Sequence, residues 1–150
     1  MSQQCRPLLT LPVVATGVIT QYRGVAFNDA QATAIGQKIK GFARRGAAIG
    51  AETEVIAKGT AVAEAGAAIT VGAALVIDAT GRVITAAALA VSGASLQVAS
   101  GGVAVTSSAT SGAILTGNGT ITGGDLPHFV CGYALEAATA AGAFIEIILS

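Results

Sequence analysis

The run Leu75-Val-Ile77, Asp78-Ala-Thr-Gly81, Arg82-Val-Ile-Thr85 restricts this chain more than any other stretch. Three β-branched or branched apolar residues are too few for a buried helix and suit a short strand. Asp at the first turn position can accept hydrogen bonds from the backbone ahead of it. Gly at the fourth accepts a positive φ, so the segment reads as a hairpin. The chain then closes on Phe144-Ile-Glu-Ile-Ile-Leu149, an apolar run broken only by Glu146. Such a strand needs a sheet beside it, and we expect it in the core rather than frayed.

The same pattern of short apolar runs between Gly and Asp or Asn turns predicts strands elsewhere. Val18–Tyr22 and Val25–Phe27 flank Gly24, and Gln37–Ala43 alternates, with Lys38 and Lys40 on one face and Ile39 on the other. Glu54–Ala57, a Lys58-Gly59 turn and Thr60–Ala63 predict another hairpin. Asp29 is a candidate cap for a short helix over residues 30–35. Residues 1–12 read as an extended arm whose Pro7 and Pro12 deny it a sheet partner, leaving it mobile until it meets a neighbour. Residues 13–150 then form a single β domain. Within it, residues 86–127 turn to Ala, Ser, Gly and Thr and read as an inserted β-rich excursion, or as disorder. Leu96–Val98 with Val103–Val105 suggests one hairpin there, and Ile114-Leu115 with Thr120-Ile121 across Asn118-Gly119 another.

An internal repeat is visible. Gly41-Phe42-Ala43, Gly50-Ala51 and Glu54-Val55-Ile56 match Gly132-Tyr133-Ala134, Gly142-Ala143 and Glu146-Ile147-Ile148. The period is too long for a solenoid, so two related elements should occupy comparable places in one sheet system.

Charged residues make up 11% of the 150-residue chain, against an average of about 25%, and aromatics only 4%. A core of Ala, Val, Ile and Leu suits closely packed sheets better than a deep ligand pocket. The expected class is therefore all-β, a compact small barrel or sandwich. No segment reaches the roughly 18 unbroken apolar residues of a spanning helix, and the N-terminus lacks a signal-peptide cleavage pattern. We expect no membrane partner and a soluble chain whose apolarity marks surface buried against other chains.

Charge is uneven. Residues 1–58 carry seven cations against three anions, and residues 59–150 one against five. The basic residues read first as a solvated face with ordinary ion pairs. A sharper reading has Lys38, Lys40, Arg44 and Arg45 docking on an acidic protein surface. Nucleic acid fits poorly, since only Tyr22 and Phe42 interleave the patch. Cys5 and Cys131 do not make a disulfide framework and are expected as free thiols.

Catalytic patterns are missing from the sequence. His128-x-x-Cys131 is at most half a metal site. Gly117-x-Gly119-x-x-x-Gly123 misses the dinucleotide spacing, and no phosphate loop is present. We expect no enzyme, cofactor or metal.

Gly41–Ile56, Gly59, Gly66–Gly72, Asp78–Val83 and Gly132–Gly142, in this order and spacing, resemble the small capsid decoration, or cement, proteins of tailed bacteriophages. The resemblance covers about residues 13–85 and 130–149. It implies a compact β fold on the outer capsid surface, commonly as trimers, made in the host bacterial cytoplasm. The implied partners are the major capsid protein and further copies of the chain. It brings no catalytic or cofactor residues. Leu8, Leu9 and Leu11, with Lys38, Lys40, Arg44 and Arg45, are the contact candidates. The competing classes are a β-rich tail or fibre subunit, separable by location and copy number, and a carbohydrate-binding module, for which aromatic platforms are scarce.

Overall fold

The computed structural model describes residues 5–87, 95–97, 120–122 and 128–150. It contains two compact units, Met1–Ala87 with Pro127–Ser150, and Ala88–Leu126. In the second, β7 (Ser95–Gln97) pairs antiparallel with β8 (Thr120–Thr122). Leu96 and Gln97 thus meet Ile121 and Thr120. The strands expected at 103–105 and 114–115 lie outside the described residues.

The first unit is one antiparallel sheet. Its strands are β1 (Pro7–Val14), β2 (Gly24–Ala26), β3 (Ile39–Ala43), β4 (Glu52–Glu64), β5 (Ala74–Ile77), β6 (Val83–Thr85), β9 (Gly132–Ala134) and β10 (Phe144–Leu149). The order is β2-β3-β4-β10-β9-β5-β6, with β1 also on β4. The sheet curls until its ends meet: Gly24 N–H donates to Gly81 O and Gly36 N–H to Ile77 O, both at 2.7 Å. The result is a nearly closed all-β barrel, as expected. β10 lies between β4 and β9, inside the sheet.

The predicted hairpin is β5–β6, with Ile77 opposite Val83. Asp78 Oδ1 accepts from Thr80 N (2.7 Å), Thr80 Oγ1 (2.8 Å) and Arg82 N (2.9 Å), while Oδ2 accepts from Arg82 Nε (2.9 Å). Burial alone would raise this carboxyl. The bonds from Arg82 and Thr80 outweigh it and hold the group below the usual carboxylate range.

The barrel is a tandem duplication, and the repeat seen in the sequence is only part of it. Phe42 faces Ile56 and Ala43 faces Val55, as Tyr133 faces Ile148 and Ala134 faces Ile147. Val25 faces Gly41 as Leu75 faces Gly132. Ile19 and Ala47 exchange two hydrogen bonds of 2.9 Å, and so do Ile69 and Ala138. β1 lies on the start of β4, with Val13 opposite Thr53, as the end of β4 lies on β10, with Ala63 opposite Ile145. One apolar cluster gathers Ala15, Ile19, Val25, Ala43, Ala47 and Val55. The other contains their counterparts Ala65, Ile69, Leu75, Ala134, Ala138 and Ile147.

This duplication explains the expectations that failed. No turn forms at Lys58-Gly59: the last strand of the first copy runs on into the first strand of the second, making the 13-residue β4. Gly59 is needed because β1 passes over it. A Cβ there would lie 2.4 Å from Arg6 O, and its φ is 101°. Residues 7–14 are not an arm without a partner but the first strand of the first copy, paired to β4. Pro7 begins that strand. Ala15 N–H turns toward Ala51 O, so position 12, an odd number of residues away, turns from β4 and has no ladder donor to lose. The helix expected over 30–35 is not there, and no helix occurs among the described residues. Asp29 instead takes a left-handed turn (φ 64°), and Gln31 returns to pair with Val25. Val18–Tyr22 is not a strand either. Only Ile19 pairs, and Tyr22 is left-handed at φ 63°.

Candidate interaction surface

β4 separates the two groups of contact candidates. Leu9 and Leu11 sit opposite Lys58 and Val55 from the β1 side, while Phe42 and Ala43 of β3 bind the other edge of β4. Leu8 is 85% exposed and Leu9 46%, whereas Leu11 is half-buried. The four basic residues do not act as one patch. Lys40 Nζ is paired with the Asp29 carboxylate, and Arg44 Nη1 with Glu54 Oε2 at 3.1 Å. Arg45 is exposed, and its carbonyl accepts from Thr53 Oγ1 at 2.9 Å.

Lys38 has a different setting. Its ammonium lies 5.7 Å from the centre of the Phe27 ring and 5.8 Å from that of Phe129. Two ring faces with negative quadrupoles hold the cation in place while leaving it exposed. The clamp stands at a cleft of about 260 Å³ lined by Lys38–Gly41 and Ala57 on one side and by Phe129–Cys131, Leu149 and Ser150 on the other. These are matching segments: Gly41 corresponds to Gly132, and the residue after Ile56 to the residue after Ile148. The cleft therefore opens between equivalent parts of the two copies, with Lys38 facing its own counterpart, Phe129. Sequence reasoning missed Phe27, Phe129 and Val130. Extending the visible repeat three residues toward the N-terminus would have set Lys38 against Phe129.

The wall of the cleft is anchored by backbone. Phe129 N–H donates to Gly36 O at 3.0 Å, and Gly36 (φ 68°) carries the His128 ring so closely that a Cβ would lie 2.4 Å from Cδ2. His128 Nδ1 is buried without a hydrogen-bond partner. Cys131 Sγ donates to Leu75 O at 3.3 Å, and burial pushes its thiol up to about 12. Burial thus keeps that thiol protonated at neutral pH. Burial also raises Cys5. Both cysteines are free. Among the described residues, no three His, Cys, Asp or Glu side chains gather as a metal site. No helix among them is long and apolar enough to cross a membrane.

The described residues thus form a nearly closed barrel of paired strands that leaves large apolar side chains in solvent. The chain matches the phage cement protein family over residues 3–149 and belongs to that family. It is a structural component of the virion that stabilises the phage capsid. No curated protein sequence matches it. Among solved structures, the N base of the head fibre gp8.5 of bacteriophage phi29 has a similar fold. The TM-score is 0.56 at 17% identity, over 95% of this chain and 93% of that one. At that identity the likeness is one of fold.

Proposed function

We propose that the chain binds the outer surface of the capsid and bridges subunits of the major capsid protein, as a homotrimer and without catalytic activity. The observation that carries this is the set of large apolar side chains standing in solvent: Leu8 at 85% exposure on β1, and Ile49 at 70%, Val18 at 68% and Val71 at 64% in the connections between strands. Contact of this kind gains free energy by area. Symmetry then repeats each modest interface around the shell. Leu8, Leu9 and Leu11 supply apolar contact on one side of β4, and Lys38, Lys40, Arg44 and Arg45 set register on the other.

The test mixes purified chain with undecorated shells of the phage that encodes it. Sedimentation gives stoichiometry, image reconstruction gives position, and native mass spectrometry gives the free oligomer. Saturable binding at local threefold positions in many copies supports the reading. A few copies, confined to the tail or to fibres, would replace it with the fibre-subunit alternative. A monomer both free and on the shell would remove the trimer.

A further inference from the structure

We infer that the cleft between the two copies is where the shell engages the protein, and that its occupant is an extended segment of the major capsid protein carrying an Asp or Glu beside an apolar residue. This rests on the capsid-binding reading above and narrows it to one site.

Three observations lead there. Lys38, like Arg6, Arg45 and Lys58, has no carboxylate partner among the described residues, but of these four only Lys38 lies against aromatic rings at the cleft. The charge is also pre-positioned. A lysine side chain free in solution loses rotamer entropy when it binds, and the contacts with the Phe27 and Phe129 rings favour one placement of this one beforehand. Beside the ammonium, Ile39, Val130 and Leu149 line a space of about 260 Å³, room for one or two side chains. A cation held by aromatic faces beside apolar side chains is complementary to an acidic residue next to an apolar one.

The duplication gives this site its polarity. The equivalent of Lys38-Ile39-Lys40 in the second copy is Phe129-Val130-Cys131, so one wall presents charge and the other presents apolar surface. A single cleft thus distinguishes the two directions of an incoming strand.

The test binds full-length wild type, Lys38→Glu and Lys38→Met to undecorated shells, with thermal melting of each variant beforehand. A parallel sample of wild type on shells is treated with a carbodiimide, which joins an amine to a carboxylate only when the two are in direct contact. The expected result is a loss of roughly tenfold or more in affinity for Lys38→Glu and a smaller loss for Lys38→Met. Melting temperatures should be unchanged, and peptide mapping should find Lys38 joined to an Asp or Glu of the major capsid protein. If Lys38→Glu lowers melting, Lys38→Met alone decides. Wild-type binding by the variants, or Lys38 joined only to another copy of this chain, overturns the site while wild type still saturates the shells. Failure of wild type to bind shells at all overturns the capsid-binding reading, and this inference with it.

Discussion

The two copies in the barrel share a backbone and differ in what they put on it. Six core positions recur as small or branched apolar residues in both. At the left-handed turns, however, the first copy has Tyr22 (φ 63°) and Asp29 (φ 64°) where the second has Gly72 (φ 78°) and Gly81 (φ 80°). A left-handed non-glycine residue costs of order 1 kcal/mol or more. At Tyr22 a T-shaped contact with Phe144, ring centres 5.4 Å apart, offsets part of that cost. Asp29 meets Lys40. The connections differ as well. Residues 33–38 link the hairpin to β3 in the first copy, whereas the matching connection of the second copy, 86–131, contains the unit Ala88–Leu126. Side chains that hold the fold are thus repeated, and those that could meet a partner have diverged.

The largest effect should come from the two matched glycines. A Cβ on Gly41 would lie 2.0 Å from Ile56 O, and one on Gly132 2.2 Å from Ile148 O. Both neighbours are backbone and cannot swing aside. Gly41→Ala and Gly132→Ala should each cost at least about 3 kcal/mol or prevent folding, read by soluble yield and urea unfolding. Tolerance of one and not the other would break the equivalence of the copies.

Next come Ile19→Ala and Ile69→Ala, each removing a buried side chain from its own cluster. Losses of about 2–5 kcal/mol are expected from chemical denaturation, close to each other in size. A large gap between them would show that one copy carries the stability of both.

A smaller effect separates the copies by pH. Asp78 sits in the turn of the second copy, where the first has Ala26. Its folded carboxyl is held below the usual range, so the stability it brings is present above the unfolded value and is lost as pH falls through the folded one. Asp78→Asn should cost about 1–3 kcal/mol at pH 7 and progressively less as the medium is acidified below about pH 4. Melting curves across that range check it. An equal cost at pH 7 and in strong acid would show that the ionised form is not what matters.

The smallest effect belongs to Arg44 and Arg45. The Arg44–Glu54 pair has both side chains more than half exposed (51% and 55%). Such pairs are worth roughly 0–1 kcal/mol and are screened over about 8 Å at physiological salt. Arg44→Ala with Arg45→Ala should slow association with shells and leave a saturable complex. Complete release of wild type by moderate salt would show that charge, rather than apolar burial, holds the protein down.

How legible this chain was depended on the range of the forces involved. The β5–β6 hairpin could be read because Asp78, Thr80 and Gly81 decide it among themselves, within one turn. β10 could be read because an apolar, β-branched run has few other places to go. The repeat was visible only where both copies kept Gly, an aromatic ring and Glu in step. It faded where outward-facing residues diverged, and so the cleft between the copies was not seen. Local signals also misled. Lys58-Gly59 carries turn chemistry, and Asp29 looks like a helix cap, yet neither acts as one.

What the sequence determined by itself was the class of structure: all-β, with turns where Asp, Asn and Gly permit them and a core of small branched side chains. Those choices rest on backbone sterics and burial of apolar surface, which each segment expresses alone. Tertiary structure decided the rest. β4 runs unbroken through Gly59 because β1 needs a glycine to pass over and β10 needs the strand beyond it. β1 pairs despite its prolines because position 12 faces away from the ladder. Lys38 lies between Phe27 and Phe129 because closing the barrel brings segments distant in sequence to one place.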